Sequence, residues 1–208
     1  MNRISKLAAA ALAAVTVSTS LTGCIPLLVG GAMVGGTVVY TDRRTSGTQL
    51  EDEAIELKAS NRLSKELGER ARVSAVSYNR LVLLTGDVVT ESDKAAVEQG
   101  VARVDSVRSV VNELAVGGSA SLSTRSNDAL LSTKVKASIV DAKGLYANSI
   151  KVVTERGVVY MLGRVTEQEA TQAANVARGV SGVNKVVRVF DILTEAELAE
   201  IQPRAATK

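Results

Sequence analysis

The chain repeats itself, and this repeat limits the fold more than any other feature of the sequence. The segment from Leu84 to Leu114 parallels the segment from Met161 to Ile192. Upstream, Glu51 to Leu63 lies opposite Asn127 to Ile139. The segment between the copies, Val116 to Ser126, is rich in Gly and Ser, which is typical of a flexible linker. The pattern predicts two tandem copies of one unit, each roughly 65 to 70 residues long.

Each copy begins with a helical pattern followed by a hairpin pattern. Apolar residues recur at every fourth position, which predicts one buried helix face in each copy. These residues are Ile55, Ala59 and Leu63 in the first copy, and Leu131, Val135 and Ile139 in the second. Two β-branched runs follow, separated by Asn79-Arg80 in the first copy and by Arg156-Gly157 in the second. Such a break between two apolar runs predicts a β-hairpin.

A second helix and a third strand complete each copy. Thr90 and Thr166 are each followed three residues later by a carboxylate, which is typical of a capping box at a helix start. The third strands are predicted at Val107–Val116 and Val183–Leu193. The order helix, strand, strand, helix, strand predicts an α+β fold, an α/β sandwich of a three-stranded mixed sheet covered on one face by two helices.

The first 23 residues have the pattern of a secretory signal. Arg3 and Lys6 precede an apolar run from Leu7 to Val17, and small residues continue to Gly23. The apolar run is shorter than the roughly 20 residues that a membrane-spanning helix needs. Cys24, the only cysteine of the chain, follows immediately.

The residues Leu21 to Cys24, "LTGC", resemble the lipobox of bacterial lipoproteins. The resemblance implies that Cys24 receives a diacylglyceryl group, that the signal is cut before it, and that the new amine takes a further acyl chain such as palmitate. Ile25 is not the aspartate that retains such lipoproteins in the inner membrane, which implies sorting to the outer membrane. The alternative is a buried free cysteine near an ordinary cleavage site.

The unit with its "V-x-x-V-x-x-V-V" approach to the third strand resembles the BON domain of bacterial envelope proteins. With the lipobox, the whole chain resembles the dual-BON outer-membrane lipoproteins of the DolP type. The resemblance implies a lipid-anchored protein on the periplasmic face of the outer membrane. It also implies that the second domain binds anionic phospholipid, such as phosphatidylglycerol or cardiolipin, and supports envelope integrity near the division site.

These observations divide the chain into six segments. They are a signal peptide at 1–23, a lipidated N-terminus and apolar Gly-rich leader at 24–50, a first BON domain at 51–116, a linker at 117–125, a second BON domain at 126–194, and a tail at 195–208. The leader from Ile25 to Tyr40 is interrupted by two glycine pairs. One interpretation is a segment near the membrane that lies on the leaflet or associates by close Gly-Gly contacts. The other is a leader that packs along the first domain, and the sequence favours neither.

The two copies differ in charge. Residues 51–116 hold 9 basic and 12 acidic side chains, whereas residues 125–194 hold 10 and 6. A basic surface is attracted to anionic headgroups by about 1 kcal/mol per Lys or Arg. Nucleic acid is not an expected partner, because the chain after the signal is nearly neutral and has only one Phe, four Tyr and no Trp for base stacking.

The first helix of the second copy carries the candidate lipid-binding residues Leu130, Lys134, Lys136 and Ala137. With Leu131 turned to the sheet, Leu130 lies on the helix flank in line with Lys134, and an apolar side chain among lysines suits shallow contact with a membrane surface. The family places its lipid contact on this helix, where an aromatic can occupy the position of Leu130. The alternative is that Leu130 packs on the neighbouring domain while the lysines are only solvated.

Gly86 and Gly163 occupy the same position in the two copies. One interpretation makes them part of a ligand-binding loop. The favoured interpretation is structural: a strand turns sharply into a helix there, with φ values or close backbone approaches that only glycine allows. Substitution is therefore expected to destabilise the domain.

The residue inventory argues against an enzyme. The chain has no histidine, its only cysteine is assigned to lipidation, and it has no phosphate-binding loop of the G-x-x-x-x-G-K type. We expect no catalytic residue, no metal and no cofactor, although a carboxylate pair or a Ser-Lys arrangement stays open. The acids are expected mostly on polar helix faces, as in Glu51 to Glu56. The alternative function is a non-catalytic periplasmic adaptor that binds envelope proteins through its BON domains.

Overall fold

The computed structural model describes residues 42–68 and 71–201, so Cys24 and the leader to Tyr40 lie outside the described residues. The first domain contains α1 (Ser46–Leu67), β1 (Arg72–Tyr78), β2 (Leu81–Val88), α2 (Glu91–Ala102), β3 (Ser109–Asn112) and β4 (Ala115–Val116). The second contains α3 (Leu122–Asp141), a 3₁₀ turn (Ala147–Ser149), β5 (Ile150–Glu155), β6 (Val158–Thr166), α4 (Glu167–Arg178) and β7 (Lys185–Leu193). A short helix, α5 (Glu195–Ile201), follows. The predicted α+β fold is confirmed.

Each sheet is built around its second strand. In the first domain β2 pairs antiparallel with β1 and parallel with β3 and β4. In the second domain β6 pairs antiparallel with β5 and parallel with β7. The predicted turns Asn79-Arg80 and Arg156-Gly157 close the two hairpins, and all four of these residues have positive φ. Thr90 and Thr166 form the predicted capping boxes of α2 and α4.

The third strand of the first domain is interrupted, whereas the sequence predicts one continuous strand. Asn112 is the cause, because its side chain competes with strand pairing. Its Oδ1 accepts a hydrogen bond from the Leu114 amide at 3.2 Å, and its Nδ2 donates to the Lys94 carbonyl at 3.0 Å. The chain leaves β2 after Asn112 and pairs with it again from Ala115.

Helices cover one face of each sheet, as predicted. In the first domain the apolar stripe of α1 packs with Val82 and Leu84 of β2 and with Val97 and Val101 of α2. In the second domain the stripe of α3 packs with Val159 and Met161 of β6 and with the alanines of α4. Burial of these stripes supplies the main driving force for each domain.

The opposite faces of the two sheets pack against each other. Tyr78 and Leu83 of the first domain meet Tyr160, Leu162 and Val189 of the second in one apolar cluster. Both faces of the central strands are therefore covered, and β2 is buried continuously from Val82 to Val88. The described domains form four layers: helices, sheet, sheet, helices.

A charged cluster joins the domains at the edge of this interface. Asp87, whose side chain is 2% exposed, accepts hydrogen bonds from the Ala120 amide at 3.0 Å, from Arg72 at 3.0 Å and from Arg156 of the second domain. Burial alone would raise the pKa of Asp87, but the Ala120 amide and the two guanidinium groups outweigh burial and hold this pKa below its usual value.

Residues before α1 also connect the two domains. The Arg43 guanidinium is buried, donates to both carboxylate oxygens of Glu169 at 2.7 and 2.6 Å, and donates to the Arg164 carbonyl at 2.9 Å. Arg44 donates to Asp52 of the first domain at 2.8 Å and lies over the Tyr78 ring. Arg43 and Arg44 are therefore held where the two domains meet.

One acid of α1 contradicts the sequence interpretation. The expectation that the acids of Glu51 to Glu56 lie on a polar face is wrong for Asp52, which is 2% exposed. Its carboxylate accepts hydrogen bonds from the backbone amides of Asn79 and Arg80 at the hairpin turn, both at 2.8 Å. Asp128 of α3 does the same for Arg156 and Gly157, also at 2.8 Å. A buried carboxylate is stable there because it satisfies turn amides that have no strand partner.

Candidate functional site

The first helix of the second domain, α3, forms one wall of a surface cleft. Ser121 caps the helix by accepting a hydrogen bond from the Thr124 amide at 3.1 Å. Leu131, Val135 and Ile139 are buried, as the predicted stripe requires. The residues that immediately precede each member of this stripe therefore lie on the flank of the helix, which is open to solvent.

Leu130 lies on that flank and its side chain is 62% exposed. The alternative that Leu130 packs on the neighbouring domain is therefore wrong. Leu130 and Lys134 both line a cleft of about 510 Å³ between α3 and the loop after α4. Lys136 and Ala137 are exposed on the same helix, but they are not among the described residues that line this cleft. The structure thus brings two of the four candidate residues together.

The opposite wall of the cleft comes from the segment between α4 and β7. Ser181, Gly182 and Asn184 line it, and the Asn184 amide donates to the Gly157 carbonyl of the hairpin at 2.9 Å. This hydrogen bond holds the loop against the turn that closes the floor of the cleft. Gly182 has φ of 101°, and a side chain there would point toward Leu131. The sequence interpretation did not include these residues.

Two other charged residues line the cleft, but their partners are elsewhere. Both carboxylate oxygens of Asp128 accept hairpin amides, and the residue is buried. Arg156 directs its guanidinium to Asp87 and to the Gly118 carbonyl at the domain interface. Lys134 has no ion-pair partner among residues 42–68 and 71–201. The cleft therefore offers one uncompensated ammonium group beside an exposed leucine.

The repeat contained a signal for part of this site. Asp52 and Asp128 occupy matching positions in the two copies, and a matching acid beside a buried helix stripe indicates a shared internal role. The sequence contains no such signal that Ser181 and Asn184 line the cleft, because a loop brings them to α3 only in the folded domain.

Gly86 and Gly163 lie inside strands rather than at a turn into a helix. Gly86 pairs with Val73 of β1, and Gly163 pairs with Ile150 of β5. A Cβ atom would lie 2.0 Å from the Arg72 carbonyl oxygen at Gly86 and 2.3 Å from the Ser149 carbonyl oxygen at Gly163. Their surroundings are backbone, and neither glycine lines the cleft described above. Close backbone approach is the physical reason for glycine at both positions.

The described residues include no group of three or more acidic, histidine or cysteine side chains placed to hold a metal ion. Among the described helices, none combines the length and the apolar character needed to cross a bilayer.

Comparison with known families decides the class of the protein. The profile of the BON domain matches residues 51–118 and again residues 127–194. The chain belongs to the BON-domain family. Each BON domain here corresponds to one helix-strand-strand-helix-strand unit of the structure, so the candidate cleft belongs to the second BON domain.

Two relatives align with most of this chain and with most of their own length. The outer membrane lipoprotein DolP of Haemophilus influenzae is 40% identical over 175 residues, which are 83% of this chain and 90% of that protein. A 21 kDa hemolysin of Actinobacillus pleuropneumoniae is 36% identical over 152 residues, or 72% of this chain and 78% of that protein. The chain is thus a homologue of an outer membrane lipoprotein.

Among solved structures, CdsD, a structural protein of the type III secretion system of Chlamydia trachomatis, aligns with 74% of this chain and 69% of its own. The two are 14% identical and superpose with a TM-score of 0.28, which does not indicate a shared overall fold.

Proposed function

We propose that this protein is a lipid-anchored, periplasm-facing protein of the outer membrane whose second BON domain binds anionic phospholipid. Its ligands are phosphatidylglycerol and cardiolipin, its binding surface is the Leu130 flank of α3, and its role is to support envelope integrity, with the division site as the expected place of action. The protein acts as a binding module, without catalysis or cofactor. Homology to an outer membrane lipoprotein supports the location.

One observation carries the proposal: an exposed leucine and an uncompensated lysine share the mouth of one cleft. Leu130 is 62% exposed and Lys134 lines the same cleft without a carboxylate partner among the described residues. A membrane surface satisfies both groups at once, because the leucine enters the boundary between headgroups and acyl chains while the ammonium group meets a phosphate. Lys136 and Ala137, exposed on the same helix, extend this contact.

Acylation of Cys24 supplies the anchor in this proposal. The residue follows a signal-like segment at the position that lipoprotein processing requires. Several acyl chains hold a protein on a membrane stably, whereas a single chain does not. The cleft is therefore not needed to keep the protein at a membrane, and its role is to choose the lipid that the second domain meets.

The proposal is tested with the mature chain prepared without acyl groups. Vesicles of phosphatidylcholine with phosphatidylglycerol or cardiolipin are expected to bind it, and vesicles of phosphatidylcholine alone much less. Binding is expected to weaken at high salt, because exposed charges are screened beyond about 10 Å at 0.1 M ionic strength. Equal binding to both vesicle types would contradict the proposal.

A pair of variants tests the surface itself. Leu130→Glu places a negative charge at the cleft mouth and is expected to weaken binding to anionic vesicles about tenfold or more. Leu57→Glu is the matched control, because Leu57 of α1 is 63% exposed on the first domain. Both variants should unfold like the wild type. Equal losses for the two variants, or no loss for Leu130→Glu, would show that α3 is not the lipid-binding face.

The outer face of the first BON domain favours a second candidate, the adaptor function. Leu50 and Leu57 are both exposed and lie seven residues apart on one face of α1, beside the exposed Glu53. An apolar helix face with an acidic neighbour is suited to a protein partner with basic groups. A chain that ignores anionic lipid but loses capture of an envelope protein when Leu57 is changed would favour this candidate.

A further inference from the structure

We propose that one loop position, Asp105 in the first BON domain and Ser181 in the second, controls whether the facing lysine, Lys58 or Lys134, is available to an anionic lipid headgroup. The inference rests on the proposed function, because it concerns the lysine that this function assigns to the lipid headgroup. It assigns a specificity role to Ser181, which would admit a phosphate-bearing headgroup, and an excluding role to Asp105.

The two positions are structurally equivalent. Each lies one residue after a buried or partly buried valine, Val104 or Val180, that ends the turn following the second helix. In the first domain Val104 N donates to Val101 O at 3.0 Å, and Val107 N donates to Val104 O at 3.2 Å. In the second domain Val180 N donates to Ala177 O, and Val183 N donates to Val180 O, both at 3.2 Å.

The residue after each position confirms the match. Ser106 has φ of 68° and Gly182 has φ of 101°, so both loops turn through the same left-handed region. The helices that face these loops also match, because Ile55 and Leu131 begin equivalent buried stripes on α1 and α3. Lys58, three residues after Ile55, is therefore the counterpart of Lys134, three residues after Leu131.

In the first domain this lysine has a carboxylate partner, and both side chains of the pair are exposed, at 53% and 85%. Lys58 Nζ lies 2.9 Å from Asp105 Oδ2 across the gap between α1 and the loop. The adjoining cleft of about 480 Å³ holds further cations: Arg62 pairs with Glu66 at 2.8 Å, whereas Lys65 and Arg103 have no ion-pair partner among the described residues. An anionic headgroup that approached Lys58 would have to displace one carboxylate and would remain close to its charge. At the position equivalent to Lys134, the first domain thus places a carboxylate beside the ammonium group.

In the second domain the carboxylate is replaced by a hydroxyl. Ser181 lines the cleft with Lys134 and is exposed. A serine hydroxyl can donate a hydrogen bond to a phosphate oxygen, whereas an ionised aspartate can only accept. The remaining acid of the cleft, Asp128, is committed to hairpin amides. Lys134 and Ser181 can therefore both donate hydrogen bonds to a phosphate. The equivalent residues of the first domain, Lys58 and Asp105, instead bind each other.

The test uses the mature chain without acyl groups and vesicles of phosphatidylcholine with phosphatidylglycerol. Ser181→Asp recreates the arrangement of the first domain and is expected to weaken binding about tenfold, because it adds a repulsive charge and occupies Lys134. Ser181→Asn is the control for size and should stay within about twofold of wild type. Position 181 is exposed, so both variants are expected to fold normally.

A reciprocal variant tests the first domain. In a Leu130→Glu background, Asp105→Ser releases Lys58 and is expected to restore part of the lost binding to phosphatidylglycerol vesicles. No recovery would overturn the excluding role of Asp105. Equal binding by Ser181→Asp and Ser181→Asn would overturn the role of Ser181 while leaving the proposed function intact. A wild-type chain that does not distinguish anionic from neutral vesicles would instead refute the proposed function, and the inference with it.

Discussion

The two BON domains share their buried design and differ on their outer helices. In both, an aspartate from the first helix holds the hairpin amides, a threonine and a carboxylate cap the second helix, and a glycine lies against a neighbouring carbonyl. On the outer face, the first domain has an ion pair between Lys58 and Asp105, whereas the second has Lys134 and Ser181. The residues that the repeat keeps maintain the fold, and those that differ are free to set function.

The difference in charge between the domains follows the same division. α1 carries five acids, while α3 carries only Asp128 and Asp141, and Asp128 is buried. The exposed part of α3 is therefore basic around Leu130, and that of α1 is mixed. Duplication of a small domain has produced two interiors of one kind and two surfaces of different kinds.

Substitution of the matched glycines tests the shared interior most severely. Gly86→Ala and Gly163→Ala each place a Cβ within 2.3 Å of a backbone carbonyl oxygen. We expect a loss of about 3 kcal/mol or more in the free energy of unfolding, measured by urea denaturation. Gly86→Ala should cost about 1 kcal/mol more, because Gly86 also has φ of 115°, a left-handed conformation that is strained for alanine.

Gly118→Ala is the control for the glycine pair, since no atom lies within 4 Å of its added Cβ. Its effect should be below about 1 kcal/mol. A similarly small effect at Gly163 would mean that the close approach to Ser149 is relieved without cost, and the two interiors would then differ.

The buried aspartates test the same comparison at the hairpins. Asp52→Ala and Asp128→Ala each leave two turn amides without an acceptor, which costs about 1–3 kcal/mol. Asp52→Ala should be the more damaging, because Asp52 also accepts from Ser77 Oγ at 2.6 Å and from Arg44 at 2.8 Å. Thermal and urea unfolding measure the difference. A larger loss at Asp128 would mean that the additional partners of Asp52 contribute nothing.

Acid is expected to weaken the interface between the two domains through a carboxylate that only the first domain has at this position. Asp87 has Arg164 as its counterpart in the second domain, and the pKa of Asp87 is held below its usual value of 3.8. A carboxylate with a lowered pKa stabilises the fold fully at neutral pH and loses this contribution as pH falls from about 4 through the pKa in the folded state. We therefore expect protonation of Asp87 to lower the free energy of unfolding by about 1–2 kcal/mol in that pH range.

Asp87→Asn removes this titration. Its unfolding free energy should already be lower at pH 7 and should decrease less between about pH 5 and pH 2. The carboxylates of the buried Asp52 and the partly buried Glu169, whose pKa values are lowered because their hydrogen-bond donors outweigh burial, titrate in the same range in both proteins. The difference between the two pH curves therefore isolates Asp87, and parallel curves would show that its ion pairs do not stabilise the interface.

Much of the fold followed from local patterns. The repeat of Leu131, Val135 and Ile139 marks a buried helix stripe because helix geometry alone places every fourth residue on one side. The turns and capping boxes are equally local, since each depends on residues within four positions of one another. The candidate Leu130 followed from the same rule, because the residue before a buried stripe lies on its flank.

Other features depend on residues far apart in the chain. Arg43 binds Glu169 across 126 positions, and nothing near Arg43 in the sequence specifies that partner. The contribution of β2 to two different cores also depends on residues that are far apart in the chain. Leu83 and Leu84 look alike as apolar residues, yet Leu83 packs on the second sheet and Leu84 on the first pair of helices.

The sequence by itself therefore determined two αββαβ units, their helix faces and the basic character of the second, because these depend on short-range periodicity and on counting charges. Only the tertiary structure decided that the sheets pack face to face, that Leu130 remains exposed, and that Lys58 is paired while Lys134 is not. The physical reason is that burial and ion pairing are set by which surfaces meet, and α3 meets the loop of Ser181 only after the chain has folded.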